Sequence, residues 1–110
     1  MTNKKTIINL TPHSLTIFKN NCFERIVIPS SGIVRVVEEG AEIGGINGIP
    51  LYWKKYTKSE GLPEPKKDTY YFVSLIVAQA NPHRKDLLLS NELVRDENGR
   101  ILGCRSFSKL

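Results

Sequence analysis

Short apolar runs alternate with polar residues along most of this 110-residue chain, at the spacing of two that is typical of β-strands. Leu15 and Ile17, for example, fall on one face of a segment whose other face carries Thr16 and Phe18. Segments of this kind, bounded by turn residues, predict β-strands. They are residues 5–10, 14–19, 22–28, 33–38, 51–56, 69–74, 87–90, 93–95 and 100–107.

Turn residues separate the predicted strands. Asn47-Gly48 is the strongest hairpin signal, because both central residues of a type I′ turn need a positive φ. Asn20-Asn21 predicts a second two-residue turn, since asparagine tolerates positive φ. Residues 96–99 predict a tight turn with Gly99 in the left-handed conformation.

The segment 69–74 contains four apolar or aromatic residues in succession, which favours burial on both faces of a strand. Residues 75–80 could extend it, but Ala78, Gln79 and Ala80 favour a short helix that Pro82 ends. The chain therefore predicts a mainly β fold, or α+β with one short helix. The expected architecture is a small antiparallel sandwich or open barrel of about eight short strands.

The composition is that of a globular protein, with 40% hydrophobic and 25% charged residues, and 110 residues suit one β-rich domain spanning 1–110. No apolar segment of the length found in signal peptides follows Lys4 and Lys5, so we expect no secretory signal. The longest apolar stretch is too short to cross a bilayer, and we expect a cytoplasmic protein. Cys22 and Cys104 could pair if they are adjacent, but two free, mostly buried thiols are the better interpretation there.

Residues that could carry catalysis are few. Neither His13 nor His83 lies in a nucleophile motif, and there is no phosphate-binding glycine loop. These histidines and the two cysteines lack the paired short spacing of a zinc site. The sequence leans against an enzyme and predicts no cofactor and no metal.

The formal net charge of +5 favours anionic partners such as nucleotides. The basic residues are spread thinly, however, and no run is long enough for a nucleic-acid arm. No predicted helix suits a DNA major groove, so sequence-specific DNA binding is disfavoured.

Two polar segments are candidate sites. The turn at residues 11–14 places Thr11 and His13 between two strands, although such residues also satisfy backbone groups at turns. The second segment, residues 74–86, follows the most buried strand and carries Asn81 and Arg84, which could bind a phosphate. The alternative for Arg84 is a surface pair with Asp86.

The mechanism that we consider for an anionic ligand is a clamp. Arg84, with Arg35 or Arg95, would hold phosphates while a tyrosine such as Tyr71 stacks on a base. Aromatic residues in β-proteins more often fill the core. The predicted ligand-binding residues are Thr11, His13, Arg35, Tyr71, Asn81, Arg84 and Arg95.

Several phrases together resemble a family of short phage and prophage proteins that open with Asn-Leu-Thr-Pro-His. They are residues 9–13, 28–32, 46–50, 71–80, 84–88 and 94–99. The resemblance covers almost the whole chain and implies one intact domain in a phage setting, but it carries over no catalytic residues.

That setting favours a non-enzymatic binding protein, for example a sponge that sequesters an anionic nucleotide-like signal of host defence. The alternative is an inhibitor of a host protein, or a virion or phage accessory module, acting through an exposed apolar patch or an open sheet edge. A nucleotide-directed enzyme with His13 or His83 as general base is the third interpretation. A small β domain with exposed edges gains by pairing them, so we also expect that a homo-oligomer can form.

Overall fold

A computed structural model describes residues 4–20 and 23–110, and the predicted mainly β fold is confirmed there. These residues form eight strands and one helix. They are β1 (Thr6–Asn9), β2 (Leu15–Lys19), β3 (Glu24–Ile28), β4 (Arg35–Ile46), β5 (Ile49–Glu60), β6 (Thr69–Phe72), α1 (Leu75–Ala80), β7 (Leu87–Arg95) and β8 (Ile101–Ser108). Cys104 is a buried free thiol, as predicted. Cys22 and the second residue of the Asn20-Asn21 turn lie outside the described residues.

Six of the strands form one curled sheet in the order β1-β6-β7-β8-β2-β3. Its pairs are of both kinds: β7–β8 and β2–β3 are antiparallel, whereas β1–β6, β6–β7 and β2–β8 are parallel. An isolated parallel bridge between Asn9 and Ser30 also brings the end of β1 next to the residues that follow β3. The sheet therefore curls into a half-barrel, a mixed version of the predicted open barrel.

The two faces of the sheet carry different apolar clusters, because neighbouring residues of a strand point to opposite faces. Residue Tyr71 of β6 belongs to the first cluster and Phe72 to the second, which confirms the prediction that this strand is buried on both faces. The first cluster contains Leu10, Val34, Tyr71, Val73, Val77, Ala78 and Leu87. The second contains Leu15, Ile17, Phe72, Leu88 and Cys104.

Helix α1 covers the first face. Ser74 caps its start by accepting a hydrogen bond from the Val77 N–H, and Val77 and Ala78 are buried. At its end the Asn81 amide donates to the Val77 carbonyl at 2.8 Å and to the Ser59 hydroxyl at 2.9 Å. Because Ser59 lies in β5, Asn81 fastens the β4–β5 hairpin to the body of the protein.

The β4–β5 hairpin is a separate two-stranded sheet, and it is much longer than its sequence pattern predicts. Each strand has 12 residues, and the predicted turn at Asn47 and Gly48 has φ values of 53° and 77°. The radius of gyration is 17.1 Å, against about 13 Å for a compact domain of this length. The molecule is 58 Å long. We call this hairpin, residues 35–60, the arm.

Asn9 holds the curl of the half-barrel. Its side chain is fully buried, and its amide donates to the carbonyls of His13 (2.8 Å) and Ile28 (3.0 Å). The Asn9 Oδ1 accepts from the Thr11 N–H (3.0 Å) and from the Thr11 hydroxyl (2.7 Å). One side chain thus joins the end of β1, the turn that follows it and the end of β3.

We expect Asn9→Ala to lower the free energy of unfolding by about 2–5 kcal/mol, since it removes a fully buried side chain together with its hydrogen bonds to three partly buried backbone groups. Asn9→Asp will cost at least as much, because a carboxylate oxygen then faces the two carbonyl oxygens. Urea denaturation measures both. Asn91→Ala, which removes one exposed hydrogen bond to Ser106, is the control and should stay within ~0.5 kcal/mol. An equally small change for Asn9→Ala would contradict this role.

Candidate functional site

Seven exposed large hydrophobic side chains lie on the arm, between Ile43 and Tyr56. Ile49, Leu51 and Trp53 alternate along β5 and therefore share one face of the hairpin. Across from them in β4 lie Ile46, Gly44 and Ala41. Because Gly44 and Ala41 are small, the side chains of Leu51 and Trp53 remain uncovered.

The tip of the arm is apolar and carries no charge. No Asp, Glu, Lys or Arg occurs between Ile43 and Trp53, in a chain that is 25% charged. Ile46 and Ile49 are 60% and 67% exposed, and Ile43 and Tyr52 are more than half exposed. Covering such a side chain stabilises a complex by about 1.5–3 kcal/mol. The tip therefore has the composition of a protein interface.

Below the tip the arm is charged, but its charges balance. Its first strand, β4, carries Glu38, Glu39 and Glu42, and β5 carries lysines at positions 54, 55 and 58. Lys54 pairs with Glu38 at 2.8 Å, and both groups are well exposed. Because these two strands form their own sheet, each has one open edge, acidic on β4 and basic on β5.

A groove of about 410 Å³ lies on the second face of the sheet, beside β2, β7 and β8. Strands β2 and β8 pair directly at Ile17 and Cys104, and Gly103 lets them approach because a Cβ there would collide with the Thr16 carbonyl oxygen. The apolar wall includes Leu93 and Leu102. The full lining is Thr11, His13, Ser14, Leu15, Thr16, Phe72, Ser90, Leu93, Ile101, Leu102, Gly103 and Cys104.

A basic cleft of about 560 Å³ lies at another part of the body, next to the start of β6 and the loop after α1. It is lined by Lys5, Pro65, Lys66, Asp68, Thr69, Tyr70, His83, Arg84, Lys85 and Asp86. Lys5 bonds Asp68 at 2.6 Å, and Arg84 bonds Asp86 at 2.8 Å. The excess positive charge of this lining comes from Lys66 and Lys85.

The Arg84 guanidinium is engaged within the protein. Nε and Nη2 donate to both oxygens of Asp86, and Nη2 also donates to the Pro63 carbonyl at 2.9 Å. The hydrogen bonds from Arg84 lower the pKa of the Asp86 carboxyl, and those to Asp86 raise the pKa of Arg84. The structure therefore contains the Arg84–Asp86 pair, which was the alternative to phosphate binding by Arg84. Both side chains are mostly buried.

Four of the predicted site residues fall in two separate places, and the Arg84 guanidinium lies over the Tyr71 ring at 5.9 Å. Thr11 and His13 line the groove, whereas Asn81 and Arg84 line a small cavity of about 190 Å³ beside the cleft. Tyr71 is fully buried in the first cluster, and its hydroxyl donates to the Glu64 carbonyl.

The two remaining arginines are exposed, and neither lines the groove, the small cavity or the cleft. Arg35 begins β4 opposite Glu60, and Arg95 ends β7, where it donates to the Gly99 carbonyl. The fold thus brings Thr11 together with His13, and Arg84 together with Asn81 and Tyr71. It does not bring the three arginines of the clamp into one cavity.

The sequence also carries a signal that predicts the exposed arm. The run from Ile43 to Trp53 combines the hairpin turn with eleven consecutive uncharged residues, whereas a solvated hairpin tip usually carries charge. The acidic residues that follow Val37 are typical of a strand end, and the predicted strand therefore stops at Glu38, before this run begins. In the structure Glu39 and Glu42 continue β4.

No protein-family model, curated protein or solved structure matches this chain. Among residues 4–20 and 23–110, no helix is long and apolar enough to cross a membrane. The same residues contain no group of three His, Cys, Asp or Glu side chains arranged to hold a metal ion. The arm, the groove and the cleft are the candidate binding surfaces of the described residues.

We expect Asp86→Asn to lower the free energy of unfolding by about 1–3 kcal/mol at pH 7, because it removes the charge that Arg84 binds. The folded pKa of Asp86 is below its unfolded value of about 4, so its stabilisation is present above that pH and is lost as pH falls. The difference between the wild type and Asp86→Asn should therefore shrink below pH 4. Urea denaturation from pH 7 to 3 tests this, and a difference independent of pH would contradict it.

Proposed function

We propose that this chain is a non-enzymatic binding protein whose binding element is the arm, and that its partner is a protein. The observation that carries the proposal is an uncharged apolar hairpin tip, from Ile43 to Trp53, held away from the body by strands of 12 residues. A partner that covered this tip would gain the hydrophobic stabilisation that the isolated chain leaves unused.

The geometry of the arm supports a role in binding more than a role in the core. A two-stranded hairpin is at best marginally stable in water without a third strand or a packed face. The base of the arm has such packing, since Val36 contacts the first cluster and Ser59 bonds Asn81. The tip lacks it. A partner supplies that missing layer.

The chemistry of the arm favours a protein over nucleic acid or a bilayer. Nucleic acid requires an excess of positive charge, but Glu38, Glu39 and Glu42 offset the lysines of β5. A bilayer would leave the open backbone edges of both strands without hydrogen bonds. A protein can cover the apolar face and also pair with an edge.

A second candidate function is the sequestration of an anionic, nucleotide-like ligand in the basic cleft. The volume of about 560 Å³ suits a small molecule, and Lys66 and Lys85 supply positive charge. Tyr70 lies at its wall and is partly exposed. The sequence resembles a family of phage and prophage proteins, and in that setting such a ligand would be a nucleotide signal of host defence. The partner of the arm would then be a host or phage protein.

A photo-reactive amino acid in place of Ile49 should give a discrete covalent adduct when cells that express the chain are irradiated. The expected product is one band of defined mass, because a specific partner covers the tip at one site. The same amino acid in place of Glu97, in the exposed β7–β8 turn, is the control and should give none. Lys substitution of Ile46 should abolish the adduct without changing the melting temperature. Equal labelling from both positions, or none from the tip, would refute the proposal.

The cleft predicts a ligand-dependent stabilisation. One of a panel of cyclic dinucleotides, ADP-ribose derivatives and nucleotides should raise the melting temperature by several degrees and be recovered unchanged. Lys66→Glu/Lys85→Glu should remove the shift, whereas Arg100→Glu/Arg105→Glu, which changes the net charge equally, should keep it. No shift across the panel would remove this candidate and leave the arm unaffected.

A further inference from the structure

We infer that the partner of the arm is a second copy of this chain, and that the tip of one copy seats in the groove of the other. This inference rests on the proposed function of the arm and names its partner. It concerns two surfaces of the described residues, the tip around Ile46 and Ile49 and the groove around Leu93 and Leu102.

The arm and the groove of one chain lie on opposite faces of the sheet, so an arm that enters the groove belongs to another molecule. Val36, at the base of the arm, packs against the first cluster, on the face that α1 covers. Leu15, Phe72 and Cys104, which line the groove, belong to the second cluster on the opposite face. A chain therefore presents its arm from one face of the sheet and its groove on the other.

The tip and the groove match in chemistry. Neither contains an Asp, Glu, Lys or Arg, although one residue in four of this chain is charged. Leu93, Ile101 and Leu102 are each about half exposed, and Ile46 and Ile49 of the tip are 60% and 67% exposed. The volume of about 410 Å³ accommodates the side chains of Ile46 and Ile49 together. Each surface thus supplies the apolar cover that the other lacks.

The charges of the arm do not oppose a second copy. Lys54 pairs with Glu38, and Lys55 lies opposite Glu39 in the register of the hairpin, so acidic and basic groups are balanced within each arm. Two arms that pass each other are therefore not repelled. In a symmetric dimer each copy gives one arm and receives one, so two equivalent contacts form.

The mass of the purified chain in solution is the first test. Light scattering after size exclusion should give twice the 12.4 kDa of one chain. Ile46→Lys/Ile49→Lys, the tip variant, and Leu102→Lys, the groove variant, should each be monomeric, with a dissociation constant raised at least ~100-fold. Ile33→Lys makes the same chemical change at an equally exposed position outside both surfaces and should remain dimeric.

Mixing the two monomeric variants is the decisive test. The groove variant keeps an intact arm and the tip variant keeps an intact groove, so their 1:1 mixture can restore one arm–groove contact. We expect a heterodimer in the mixture and monomers in either variant alone. Arm-to-arm pairing predicts no rescue, because the tip variant has no functional arm. Leu93→Lys provides a second groove variant, and thermal unfolding shows which variants are folded.

Three results would overturn the inference: a monomeric wild type at every concentration reached, dimers that persist in the tip variant, or no heterodimer from folded variants. These are separable from failure of the proposed function. A monomeric chain whose position 49 still forms an adduct with a different protein keeps the binding arm and rejects the second copy. A monomeric chain with no adduct rejects both, and flotation of the chain with lipid vesicles would then assign the tip to a membrane surface.

Discussion

The closure of this fold depends on one buried amide. Asn9 makes four hydrogen bonds that join the end of β1, the turn containing Thr11 and His13, and the carbonyl of Ile28 at the end of β3. Because the Asn9 side chain is fully buried, its amide has no water to bond in place of these partners, and its own geometry is strongly constrained. The same bonds hold Thr11 and His13 at the wall of the groove. A structural contact therefore also shapes a candidate binding surface.

The protein divides into a body that contains both apolar clusters and an arm whose tip belongs to neither. In the body, alternation along β6 sends Tyr71 and Phe72 into separate clusters; helix α1 covers the first, and the groove opens on the second. The arm is attached through Val36 and through the bond between Asn81 and Ser59. The residues of its tip belong to neither cluster. This is the reason for assigning binding to the arm.

Positive charge has a smaller part in this assignment than the net charge suggests. Arg84, the most suggestive cation of the chain, holds Asp86 and the Pro63 carbonyl and so stabilises the loop after α1. Lysines of the arm are balanced by glutamates of the neighbouring strand. The surfaces that look most suited to binding are uncharged, and recognition there depends on shape and apolar area.

The amino-acid sequence by itself determined the element types, because alternation and turn chemistry act locally: the Asn47-Gly48 turn, the short helix after Ser74 and the doubly buried strand were predicted correctly. Strand lengths were predicted less well, since β4 and β5 are longer than expected and the predicted strands 87–90 and 93–95 form the single strand β7. The parallel pairings and the exposure of the tip were decided only by the tertiary structure. Both depend on which distant segments meet, as does the placement of Arg35, Arg84 and Arg95 in separate regions. Tyr71 is a further example. The residues next to an aromatic side chain in sequence do not distinguish one that stacks on a ligand from one that fills a core, and here the surrounding elements bury Tyr71 completely.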